Sequence, residues 1–356
     1  MMTETNVDTV PASPHLERPR NRFSIPAEGT DNLFTQSWFP ICLSTEVSVG
    51  GVIGKDFLDG QVVIFRGEDG IARVFSAYCL HMGANLANGK VIGSELRCAF
   101  HHWEYDGLGQ CIRTGVGDKP PARAKLFSFP TEEHCGIIFA FNGVSPLYPF
   151  PDLFEGGKYT PDELLISTFK DPRPPWPVDP WSIRGNTPDW AHFACVHHMS
   201  IAVEDRPDPE TTYHYDKYTV KFDAPVNRQL PGGQEVTLVY KAQITGTTLW
   251  HNHGTFNGRW HFLLSALGIP IQGTSSHYYV AAVHKGNGSD KEEAEAQEFM
   301  AEITDMWETM LDEDHIILRD QHYDPGLLTQ ADASVVKFLQ FVKSYPRAHP
   351  AYHFMR

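Results

Sequence analysis

The sequence predicts an α+β chain: an antiparallel β domain, then an α+β domain in which an antiparallel sheet carries helices. Three observations predict it. Short apolar segments broken by Gly, Asp and Asn turns fill residues 34–142, a Pro-rich run interrupts the chain near residue 175, and a long amphipathic helix pattern begins after Ser289. The 356 residues correspond to about two domains at the usual 100–200 residues each, and 41% hydrophobic content is enough for a sizeable core.

Residues 1–30 are polar and Pro-rich and read as a loose arm. Residues 31–145 form the first domain, with segments such as 61–65 and 136–141 as strands. Residues 146–180 are the boundary, because the run DPRPPWPVDP lacks N–H groups and fixes φ in a way that disfavours both helix and central strand. Residues 181–356 form the second domain: 187–198 reads as helical, and 218–222, 235–244 and 277–283 as strands. Ser289 with Glu292 is a capping-box signature that starts the long helix. Its apolar stripe runs through Phe299, Ile303, Met306, Trp307, Met310 and Leu311 and on to Ile317 and Leu318. Asp314 falls on that stripe, whereas Asp305, Asp312 and Asp320 do not.

Charge narrows the partners. Lys plus Arg is 29 against 44 for Asp plus Glu, a formal charge of −15, which argues against nucleic acid and anionic membrane surfaces. No apolar run approaches the roughly 20 residues that span a bilayer, and the start of the chain has no apolar signal-peptide core, so a cytoplasmic location is expected.

Six cysteines (Cys42, Cys79, Cys98, Cys111, Cys135, Cys195) are too few for a disulfide scaffold and fit a reducing compartment, where ordered Cys/His spacings usually mean metal. Cys79 and His81, then Cys98 and His101, give C-x-H-x16-C-x2-H. Each segment supplies one thiolate and one imidazole, which suits a two-iron cluster with both cysteines on one iron and both histidines on the other. Zinc fingers instead group their cysteines together and their histidines together. The stretches CLHMGANLANGK (79–90) and CAFHHWEYDGLGQC (98–111) resemble the Rieske [2Fe-2S] family. Leu80, Ala99 and His102 depart from residues common in that family, two prolines and a glycine, without removing a ligand. His102 reads as a loop residue, and Cys111 and Cys135 as inert buried thiols.

More than two hundred residues follow the first domain, and they contain Asp189, His192 and His197 as D-x2-H-x4-H. This resembles the mononuclear iron motif of the Rieske non-haem iron oxygenases, specifically the terminal oxygenase (alpha) component of the homotrimeric type. The resemblance implies a helix-grip-like second domain, with one Rieske cluster and one Fe(II) per subunit. On an ideal α-helix His192 and His197 point roughly 140° apart, so a shared ion requires a widened, π-like turn. His198 is the competing ligand. The third ligand of a 2-His-1-carboxylate site is Asp314, both by resemblance of EDHIILRDQ to the family's late helix and by its place on the apolar stripe. Glu313 and Asp320 are the fallbacks.

The resemblance also gives Asp189 the family's bridging role, linking a cluster histidine, His101, of one subunit to His192 of the next; this implies a head-to-tail ring and a homotrimer. The other reading of Asp189 is a carboxylate at a helix N-terminus. The chain lacks a G-x-G-x-x-G fingerprint and C-x4-C-x2-C ferredoxin spacing, so electrons must come from a separate NAD(P)H-dependent reductase, directly or through a ferredoxin. The implied function is a terminal oxygenase that uses O2 to monooxygenate a small or medium, largely apolar organic substrate, by hydroxylation or oxidative demethylation. A ring-dihydroxylating dioxygenase is the alternative. An electron carrier whose second domain only binds is the reading from another class. Trp307, Met310 and Leu311 are either core or an apolar pocket wall, and the sequence leaves open which residues of LWHNHGTFNGRWHF (249–262) point inward.

Overall fold

The computed structural model describes residues 24–154, 158–200, 212–229, 235–256, 258–321, 323 and 327–355. The arm expected at 1–30 falls mostly outside them.

The first domain is built from three small antiparallel sheets. One is four-stranded (Val52–Phe57, Gly60–Arg66, Ala72–Ser76, Ser128–Phe129), and one is three-stranded (Trp38–Leu43, Thr131–His134, Ile137–Phe141). The third is a meander of short strands, Lys90–Ile92, Glu95–Arg97, Glu104–Tyr105 and Cys111–Arg113; the loop leading into it from Ala72–Ser76 holds Cys79 and His81, and the loop between its second and third strands holds Cys98 and His101.

The second domain centres on an eight-stranded antiparallel sheet with Leu164–Lys170 at one edge. That strand lies inside the segment assigned to the boundary. It pairs along its whole length with Ser276–His284, so the chain has joined the second sheet before the proline run begins. The prolines exclude a strand only where they stand; LLISTFK just before them is a good strand former.

Both faces of this sheet are covered, and alternation decides which side chain goes where. Tyr278, Val280 and Ala282 pack with Trp38, Phe139 and Phe141 of the first domain. Their neighbours Tyr279, Ala281 and Val283 pack under the helices with Phe299, Ile303 and Trp307. Two buried faces explain why the strand Arg259–Gly268 is nearly continuously apolar from Phe262 to Leu267.

The long helix spans Asp290–Leu318, with Ser289 Oγ accepting from the Glu292 N–H at 3.3 Å, as the capping signature predicts. Ile317 is 46% exposed and does not continue the apolar stripe, whereas Leu318 is buried. Successive residues differ by about 100°, so only one of an adjacent pair can face the core. A second helix, Ala333–Ser344, was not anticipated, although Val335, Phe338, Leu339 and Val342 have helical spacing and are all buried.

The end of the chain returns to its beginning. Arg347–Ala348 pairs with Phe34–Thr35, and Asn142 Nδ2 donates to the carbonyls of Phe34, Thr35 and Ala348 at 2.7–3.2 Å. Gly246 is required where the domains meet: a Cβ there would lie 2.0 Å from Ser37 Oγ, and its φ is +65°. Among the described residues, no helix is long and apolar enough to cross a membrane.

Candidate metal centres

The Cys/His loops are held by local hydrogen bonds. Cys79 N–H donates to Ala84 O, Gly83 N–H to Cys79 O, and Cys98 N–H to Trp103 O, all at 2.8–2.9 Å. These turns send the cysteines inward and the histidines outward. Cys79 and Cys98 are buried among Leu86, Leu96 and Tyr105, while His81 and His101 are exposed with ring centroids 4.7 Å apart. His102 has a left-handed backbone, φ +52°, which accounts physically for a glycine at such a position. Gly115 packs so closely that a Cβ would lie 2.4 Å from His101 O.

Two thiols at the buried end and two imidazoles at the exposed end match the donor set of an asymmetric two-iron cluster. Burial pushes the Cys79 thiol above its ordinary value, against the pull of hydrogen bonds from Tyr105 and the backbone at His81. Bound cations are what would hold such sulfurs as thiolates. Sequence reasoning did not single out Tyr105, whose hydroxyl lies 3.2 Å from Cys79 Sγ and accepts from the Leu80 N–H at 3.1 Å. Nor did it single out Trp103, stacked on His81 at 4.6 Å.

The second constellation is assembled from distant parts of the chain. Asp189 caps a six-residue helix, Trp190–Cys195, its Oδ1 accepting from the His192 N–H at 2.9 Å. The expected π-like turn is absent. The helix ends at Cys195, and by His198 the backbone is left-handed at φ +53°. Leaving the helix, rather than widening it, turns His197 back toward His192. Their Nε2 atoms lie 3.0 Å apart, while His198 is exposed. Asp314 Oδ1, from the long helix, lies 3.0 Å from His192 Nε2 and 3.4 Å from His197 Nε2. Three donor atoms thus converge from one side on one point, the chemistry of a 2-His-1-carboxylate iron site.

Burial alone would raise the Asp314 carboxyl, but hydrogen bonds with His192 and His197 outweigh it and hold the group down at about 2. For His197, burial opposes the charged form and the two carboxylates beside it win, so its value is raised. Glu313, a fallback ligand from sequence, has a different place: its Oε2 meets His197 Nδ1, the ring nitrogen away from the convergence point, at 2.8 Å. A carboxylate there fixes the ring's tautomer and orientation. Asp320 pairs with Arg319 and Asp312 with Arg173, both exposed.

The three donors line a cavity that opens to solvent. Trp307, Met310 and Leu311 form part of its wall, so this part of the stripe is pocket as well as core. From the strand Leu249–Phe256, Trp250 faces the cavity, whereas His251 and His253 turn to the opposite face against Phe262. Deeper in the wall, His277 bridges Ser275 Oγ (3.0 Å) and Tyr279 Oη (2.8 Å), and burial pushes it down to about 3, leaving it neutral.

Comparison with known proteins agrees with this architecture. Residues 37–130 match the family model of the Rieske [2Fe-2S] domain. The chain is 30% identical over 210 residues to cholesterol 7-desaturase nvd of Bombyx mori, covering 56% of this chain and 44% of that protein. It is 30% identical over 179 residues to a probable 3-ketosteroid-9-alpha-monooxygenase, oxygenase component, of Rhodococcus rhodochrous, covering 46% and 42%. The chain thus spans less than half the length of these curated relatives. Its fold is similar to that of the NdmA QL mutant with caffeine from Pseudomonas putida CBB5, with a TM-score of 0.64 at 19% identity over 86% of this chain and 89% of that one. It is also similar to dicamba monooxygenase bound to dicamba, with a TM-score of 0.62 at 17% identity over 86% and 96%. Residues 37–130 thus belong to the Rieske [2Fe-2S] domain family, and the chain is similar in sequence to a probable 3-ketosteroid-9-alpha-monooxygenase oxygenase component and in fold to dicamba monooxygenase.

Proposed function

We propose that this chain is the terminal oxygenase component of a multicomponent system, monooxygenating a small or medium, largely apolar organic molecule by hydroxylation or oxidative demethylation. The observation that carries the reading is the convergence of His192, His197 and Asp314 on the wall of an aromatic-lined cavity. In this reading Cys79, Cys98, His81 and His101 hold the [2Fe-2S] cluster, and the three convergent residues hold Fe(II). When bound, the two groups supply electrons and a site for reducing dioxygen, which one ferrous ion alone cannot do.

The chain's own residues then have separate tasks. Glu313 keeps His197 in the tautomer that turns Nε2 to the site. Trp250, Trp307 and Tyr279, packed edge to face at 5.4–6.1 Å, exclude water and place an apolar substrate beside the donors. The exposed edge of the cluster at His81 would give a reductase or ferredoxin access to it, leaving His101 for the contact with a neighbouring copy. We assign Asp189 the bridging role toward His101 of a neighbouring copy in a homotrimer. Its Oδ1 is engaged by the His192 N–H, the helix-capping contact, and Oδ2 would serve the bridge.

Desaturation is the second reading, favoured by the similarity to a protein named for that reaction. The test is turnover under ¹⁸O2 by iron-loaded protein with NADH and a ferredoxin–reductase pair, across steroids, aromatics and N- or O-methyl compounds. One labelled oxygen per hydroxylated product, or the loss of a methyl group, supports the proposal. Two labelled oxygens indicate dihydroxylation and a new double bond indicates desaturation. Absence of any product leaves the electron-carrier reading.

A further inference from the structure

The cavity wall contains a buried positive charge that no side chain among the described residues neutralises. Arg184, at the end of the short helix Pro180–Arg184, is 4% exposed and lines the same cavity as His192, His197 and Asp314. Its Nε and Nη2 donate to Thr248 O at 3.3 and 2.9 Å; Nη2 also donates to Ser265 O at 2.9 Å and Ser265 Oγ at 3.0 Å. These acceptors are neutral. They satisfy N–H groups but leave the guanidinium charge without a counter-ion.

Among the described residues no carboxylate pairs with Arg184, and its Nη1 has no hydrogen-bond partner. Other partly buried arginines are treated differently: Arg66 is bidentate on Glu133, and Arg173 sits on Asp171. The two carboxylates at the site, Asp314 and Glu313, face the imidazoles of His192 and His197. Burial pushes Arg184 down only to about 9, so the charge persists at neutral pH. A buried charge is retained at a cost unless something pairs with it. Here the missing partner can come from the cavity.

We propose that Arg184 recognises an anionic group on the substrate, and that the ligand is an apolar, ring-bearing organic molecule with a carboxylate. The carboxylate would meet Nη1, and the rings would lie against Trp250 and Trp307 near the three donors. A guanidinium offers the planar fork that suits a carboxylate. The aromatic wall favours a ring-bearing organic anion over a bare inorganic one. This inference rests on the oxygenase reading and specifies its substrate class.

The rival account is that Arg184 only ties Thr248 to Ser265. The test is equilibrium binding to iron-loaded protein under nitrogen, where turnover cannot occur. The probes are 2-naphthoate, phenylacetate and a steroid carboxylate, each against its methyl ester, with acetate as the control. Wild type should bind at least one acid ~10- to 100-fold more tightly than its ester, the strength of a hydrogen bond to a charged group. Arg184→Gln should abolish that preference and Arg184→Lys should keep part of it. A purely structural arginine would lower thermal stability in both variants without moving the acid-to-ester ratio. Equal binding of acid and ester by wild type across all three pairs overturns the proposal even if Arg184→Gln does not fold, and so does a preference that survives Arg184→Gln. Acid-selective binding without oxygen uptake would sink the oxygenase reading and leave the anion site standing. Oxygen uptake with neutral substrates and no acid preference would do the reverse.

Discussion

The Cys/His loops and the His/His/Asp site differ in how far along the chain their parts come from. Cys79 to His101 fall within one short stretch, on two loops that flank the short strands Lys90–Ile92 and Glu95–Arg97, and the histidines end exposed. His192 and Asp314 come from distant parts of the second domain, a short capped helix and a 29-residue helix, and meet at the wall of a cavity. The first site is made by local backbone geometry and can face a partner. The second depends on packing a helix across a sheet, which gives it an aromatic cavity and a supporting carboxylate. Exchange of electrons needs the former, and control of a reactive site needs the latter.

The sharpest break between them is ligand removal. Asp314→Ala should lose the mononuclear iron and turnover altogether while keeping the visible spectrum of the cluster; His81→Ala should lose that spectrum and keep the second domain's iron. A variant in which either change empties both sites would contradict their independence.

The next effect concerns the seam around the N-terminal segment. Glu28 is fully buried, its N–H donates to Asp179 Oδ2 at 3.1 Å, and its carboxylate faces Arg347. Burial pushes it up to about 7, against the lowering pull of Arg347. The folded chain therefore holds a proton that the unfolded chain releases near its ordinary value of 4.5. This contribution to stability is complete below about 4.5 and is lost as pH rises through about 7, on the order of 3 kcal/mol in all. Denaturant titrations between those values should show the fall, and Glu28→Gln should flatten it.

Glu313→Gln sharpens the contrast further. It should weaken iron binding at the buried site by ~10- to 100-fold, since His197 loses its orienting charge, and leave the cluster untouched. Competition with a chelator measures this. The smallest effect is expected at the exposed site: Tyr105→Phe removes the hydroxyl beside Cys79 Sγ and should lower the cluster potential by up to about 40 mV. That is the ~1 kcal/mol of one hydrogen bond converted at 59 mV per tenfold change. Redox titration reads it directly.

Much of this was legible because the cues were local. The Cys/His spacing and the Ser289–Glu292 cap depend on residues close in sequence. The stripe that brought Asp314 to the buried face is a property of one helix. What escaped sequence reasoning depends on tertiary context. The helix after Asp189 stops at Cys195 instead of widening, and Leu164–Lys170 joins a sheet whose partner strand lies more than a hundred residues away. Glu313 could be ranked as a fallback ligand but not as the group behind His197, because its role follows from which ring nitrogen it meets. Arg184 has no motif at all; its meaning arises from burial without a counter-ion.

The central claim is that one chain holds two iron centres of different kinds. Counting iron and acid-labile sulfide in the purified protein, together with electron paramagnetic resonance of the reduced form, tests it most directly. The account predicts three irons per two sulfides and a reduced iron–sulfur signal, falling to two irons per two sulfides in Asp314→Ala. Equal iron and sulfide in the iron-replete wild type, or no iron–sulfur signal, would contradict it.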